Sequence, residues 1–97
     1  MKKFETLLDA FRKGGNDTPY VSLKGRQAHI EEQFEHYGID MCDVLQLFKQ
    51  RNLHVRPLEE SDDEQYEIQG QTVDGENMAL IVSTNGYTIK IINVWLV

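Results

Sequence analysis

Apolar residues recur along this chain first with a helical period and then with a strand period. Phe4, Leu7, Leu8 and Phe11 stand at i, i+3, i+4 and i+7, one stripe of a helix over about residues 2–13. Glu5 and Asp9 interrupt that apolar segment, so it reads as an amphipathic helix and not as a secretory signal. Gly14-Gly15 ends it, because glycine reaches left-handed backbone without steric cost. Asn16–Tyr20 reads as a loop, with Pro19 turning Thr18 away from helical geometry.

A second helix follows, with Ser22 as its candidate cap and Gly25 as a weak point near its start. At about 100° per residue its faces separate: Ile30, Phe34 and Tyr37 are apolar, Glu31, Glu32 and Glu35 face solvent, and His29, Gln33 and His36 form a polar stripe between them. Gly38 is the stop. Asp40 then caps a third helix by accepting from free amides of its first turn. Ile39 and Val44 have the spacing of a hydrophobic staple. Met41, Val44, Leu45 and Phe48 form its stripe. The two helices make a tight hairpin whose apolar stripes face a common core.

From Leu53 onward the period is that of strands. Leu53–Leu58 is a short one, placed at an edge by Pro57. Gln65–Val73 alternates around Tyr66 and Ile68, Asp74-Gly75 is a turn, and Met78–Thr84 is a strand. Asn85-Gly86 is the strongest hairpin signal, and Tyr87–Val97 is the last strand. That strand is apolar on both faces, with Ile89, Ile91 and Trp95 on one and Ile92, Val94 and Leu96 on the other. It is either central and covered on both sides or part of a dimer contact. The expected architecture is a single α+β domain over residues 1–97: three N-terminal helices packed on a four-stranded antiparallel sheet, a β-meander.

Composition narrows the function classes. The chain has 97 residues and a net charge of −6, and residues 53–76 alone carry one basic and eight acidic groups. The acids concentrate at Glu59–Glu64, a stretch that reads as a solvated loop. Phosphate-backbone binding depends on dense Lys and Arg, so the charge disfavours RNA or DNA as a partner. No apolar run approaches the roughly 20 residues that span a bilayer, and no membrane association is expected. Cys42 is the single cysteine, which excludes an intrachain disulfide and fits a reducing, cytoplasmic compartment.

The helix-stop-helix segment resembles the family catalogued as domain of unknown function 4258, whose members read His-Ala-x-x-Arg-Met-x-x-Arg-Gly-Ile before a second helix and an antiparallel meander. His29 lies nine residues before Gly38-Ile39, Phe34 takes the place of the family Met, and Asp40–Leu47 looks like the second helix. Tyr66 in QYEIQG and the closing IKIINVW resemble the family's ending, so the similarity covers about residues 20–95. The family looks like a relative of RelE-type toxin folds, which include ribonucleases. The resemblance therefore implies a toxin-like frame and RNA cleavage as an activity to consider. Gln33 and Tyr37 stand where the family has its two arginines, and the family is commonly basic, so two cations for a phosphate are missing here.

Metal-free RNA cleavage needs a base, an acid and a cation for the phosphorane. Under that reading His29 is the base or acid, Arg26 one turn earlier holds the phosphate, and Tyr66 or His54 assists. His36, Gln33 and His54 are the candidate binding residues. The structural alternative is a boundary His29 satisfied by backbone or water. His29 and His36 lie about 10 Å apart along a helix, too far for the i, i+4 pair a metal wants, so no metal site is assigned. Cys42 sits in a first turn, but Asp40 and Asp43 oppose a thiolate there, and a buried or boundary structural cysteine is expected. With no phosphate cradle, nucleophile elbow or zincin signature, no cofactor is implied; Gly70, Gly75 and Gly86 read as single turn or bulge glycines.

Three functions stay open, and with them whether the chain is an enzyme. The first is a non-catalytic regulatory or protein-binding module, with a protein partner or a homodimer through the C-terminal strand. The second is a weak or specialised metal-independent ribonuclease of toxin type. The third is an acidic partner that neutralises a basic toxin.

Overall fold

The computed structural model describes residues 8–10, 20–23, 25–50, 53–58, 64–84 and 88–97. The chain is α+β, as the change of period predicts. Strand β1 (Tyr20–Ser22) is followed by helices α1 (Gln27–Tyr37) and α2 (Met41–Lys49). Then come β2 (His54–Pro57), β3 (Glu64–Gln71), β4 (Asn77–Thr84) and β5 (Thr88–Leu96). The strands form one sheet in the order β1-β5-β4-β3-β2. Of the expected first helix, residues 8–10 are helical, with Leu8 buried in the core; its other residues, the Gly14-Gly15 stop, Glu59–Asp63 and the Asn85-Gly86 turn lie outside the described residues.

The sheet differs from the expected four-stranded antiparallel meander. It has five strands, and β1 runs parallel to β5, pairing Tyr20 with Thr88 and Ser22 with Lys90. Three residues are too few to show a strand period, so the expected loop takes in Tyr20; its residues 16–19 lie outside the described residues. Ser22 therefore lies in a strand and does not cap α1. The helix starts after a turn closed by the Arg26 N–H on the Leu23 carbonyl at 2.8 Å, with Arg26 itself as N-cap and no side-chain capping bond.

The helix hairpin follows its sequence signals closely. Gly38 takes left-handed backbone at φ 68°, and the N–H groups of Gly38 and Ile39 both donate to the Phe34 carbonyl, the closure that needs glycine at this point. Asp40 caps α2 by accepting from the Asp43 N–H. Asp43 completes a reciprocal box by accepting from the Asp40 N–H at 3.0 Å. Ile39 and Val44 are both buried. Of the α2 stripe, Val44 and Phe48 are fully buried together with Leu47, while Met41 and Leu45 are only half-buried.

β2 is an edge strand, as Pro57 demands. Leu58 donates its N–H to the Gln65 carbonyl at 2.9 Å, so the intervening proline sits where its missing N–H points away from β3. The Asp74-Gly75 turn forms as expected, with Gly75 at φ +87° and its N–H on the Thr72 carbonyl. β5 is central, between β1 and β4. Its faces are not those of an unbroken alternation. Ile81 pairs with Asn93 and Val82 with Ile91, so Ile92 is an extra residue at a bulge. The bulge rephases the strand. Ile89 and Ile91 face the core before it, Val94 and Leu96 after it, and Trp95 lies on the other face opposite Ala79.

Gly70 is neither a turn nor a bulge glycine. It sits inside β3, paired with Met78, where the end of α2 crosses. A Cβ there would stand 2.8 Å from Leu53 Cδ2 and 2.9 Å from both Leu47 Cδ1 and Gln50 Oε1.

These two glycines separate conformational from steric cost. Gly38→Ala meets nothing within 4 Å, so it should cost about 1–2 kcal/mol through backbone strain alone. Gly38→Asn, which tolerates this conformation, should recover most of that loss in denaturant melts. Gly70→Ala should cost about 1–3 kcal/mol through overpacking, and Gly70→Asn should be worse. Equal responses of the two sites to Ala and Asn would contradict this assignment.

Candidate functional site

The polar stripe of α1 meets β5 at its bulge. β1 covers β5 only from Thr88 to Lys90, and four residues on, the Val94 N–H donates to Gln33 Oε1 at 2.9 Å. A backbone N–H can only donate, so this bond fixes the orientation of the Gln33 amide. Gln33 Nε2 then donates to Asn93 Oδ1, which also lies 3.2 Å from the Val94 N–H. His29 Nε2 is 3.3 Å from the same Asn93 Oδ1. Because that oxygen only accepts, the proton sits on Nε2. In the neutral ring, the lone pair is then on Nδ1. His29 is exposed and Gln33 half-buried, so the cluster lies at the rim of the core.

The remaining candidates are dispersed around this seam. Arg26 is exposed at the N-cap of α1. The ammonium of Lys90 approaches the same end of the helix, 3.6 Å from where a Cβ on Gly25 would be. His36 is exposed and stacks edge-on against Tyr37, with ring centroids 4.7 Å apart. Tyr66 is 3 % exposed on the core face of β3, and its hydroxyl donates to Glu64 Oε2 at 2.7 Å. Tyr66 pairs with Val82, which pairs with Ile91. Two strand spacings, about 10 Å, thus separate its backbone from β5.

His54 pairs with Gln69 on the sheet face opposite Tyr66, beside the cross-strand ion pair of Arg56 and Glu67 at 3.2 Å. It lines an open hollow of about 690 Å³ with Gln50, Gln69, Gln71 and Asn77. The structure therefore brings His29 and Gln33 together on Asn93, places His54 and Tyr66 elsewhere on the sheet, and sets His36 against Tyr37. Cys42 is exposed and not buried as expected, because it falls on the outer side of α2 one residue before the buried Asp43. Among the described residues no three His, Cys, Asp or Glu side chains converge as metal ligands would, and no helix is long and apolar enough to cross a membrane.

Three polar residues that sequence reasoning passed over hold these elements together. Asn93 had a visible signal, as a carboxamide inside the apolar run Ile91–Val97. Asp43, beyond its capping role, accepts from the Val73 N–H at 2.9 Å and ties α2 to the β3–β4 turn. Gln50 donates to the Gln71 carbonyl at 2.6 Å and accepts from the Gln71 N–H at 3.1 Å. Compared with known proteins, the chain matches no family model, no curated sequence and no solved structure.

Gln33→Ala removes the shorter of the two acceptors for the Val94 N–H and a donor to Asn93, and should cost about 1–2 kcal/mol. In a double-mutant cycle with Asn93→Ala, the pair should couple by about 0.5–1.5 kcal/mol. Additive losses in urea unfolding would show that the two side chains do not act as a unit.

Proposed function

We propose that this chain is a non-catalytic regulatory or protein-binding module on a toxin-like α+β frame. The observation that carries the reading is the separation of the residues a metal-free ribonuclease would need. Tyr66 is sealed in the core with its hydroxyl on Glu64, while His29 stands at the α1–β5 seam with Nε2–H on Asn93. In-line cleavage requires acid, base and cation around one phosphate, and bringing Tyr66 to His29 would mean taking it out of the core.

The positions that the resembled family fills with arginine support the same reading. Gln33 is committed to the β5 backbone, and Tyr37 packs half-buried against the core. The net charge of −6, with Glu31, Glu32 and Glu35 exposed along α1, favours a basic protein surface over nucleic acid as the partner. The toxin-like character of the frame rests on the resemblance to the domain family and its RelE-type relatives. The C-terminal strand has β1 and β4 on its two sides, so a homodimer through it would use its face around Trp95 and not strand addition at Thr88–Lys90.

The test sets wild type beside His29→Ala. Both are expected to leave a structured RNA intact and to be equally harmless when expressed in cells. Light scattering and affinity capture are expected to find a second copy or a specific protein partner held by both. Cleavage by wild type that His29→Ala abolishes would overturn the reading. A strictly monomeric chain that retains no partner would remove its basis.

A further inference from the structure

We draw no further inference here: the strongest candidate, the apolar groove of about 650 Å³ between strand β1 and the two helices, lined by Tyr20, Leu23, Phe34 and Met41, is a face left unpartnered among the described residues, and nothing in the structure shows what covers it.

Discussion

Backbone N–H and C=O groups that a short neighbouring strand leaves uncovered must find other partners, because a desolvated group without one costs about 1–3 kcal/mol. This sheet finds such partners at both sides, part-buried at Val94 and exposed at Gln71. Its outer strands have three and four residues, against eight or nine in the inner three. Beyond the end of β1, Gln33 accepts from the Val94 N–H. Beyond the start of β2, the Gln50 amide bonds both the N–H and the carbonyl of Gln71. A primary amide offers a donor and an acceptor side by side, so Gln50 extends the β3 ladder by one rung, while Gln33 accepts from the β5 backbone and gives its N–H to the Asn93 side chain. Both belong to the helical layer, Gln33 within α1 and Gln50 at the C-cap of α2. The helical layer thus supplies hydrogen-bond partners to two strands of the sheet.

The bulge in β5 makes this arrangement work at the α1 side. An uninterrupted strand would put Ile89, Ile91 and Trp95 on one face, and the core would have to admit an indole where Leu96 now faces Met78. One extra residue at Ile92 corrects the phase and keeps four aliphatic side chains on the helix side. It also brings Asn93 to the helix, where its Oδ1 receives Gln33, Val94 and His29. The tautomer of His29 is thus set by a chain of orientations that begins at a backbone amide.

What could be read from the residues divides by the range over which each signal acts. Gly38, Asp40, Pro57 and Asp74-Gly75 act within a few residues, and each stands where its local chemistry places it. The apolar stripes identified Ile30, Val44 and Phe48, all fully buried. The misses are non-local. β1 exists because β5 offers it a ladder, and its own three residues carry no period. The faces of β5 depend on a one-residue slip that no pattern within Ile89–Leu96 reveals. Gly70 is explained by Leu47 and Leu53 arriving from another element, which its neighbours in β3 cannot announce. At the site, the helical stripe correctly put His29 and Gln33 side by side. Their shared partner Asn93, about 60 residues away, was a long-range contact of the same kind.

A polar cluster at a helix–sheet boundary serves either the fold or a ligand, and hydrogen-bond accounting separates the two. A binding or catalytic cluster leaves groups aimed at a space that a reactant can fill. Here the Gln33 amide is consumed at both ends by β5, and Asn93 Oδ1 already receives three donors. In the neutral His29 ring, Nδ1 keeps its lone pair while Nε2–H is on Asn93. A lone imidazole nitrogen at an exposed rim is short of what phosphoryl chemistry asks, since the hydroxyl that would complement it belongs to the buried Tyr66 and is bonded to Glu64. Recognition of a protein surface makes no such demand. It needs satisfied interior polar groups and a charged exterior, and the two glutamines satisfy backbone groups of β3 and β5.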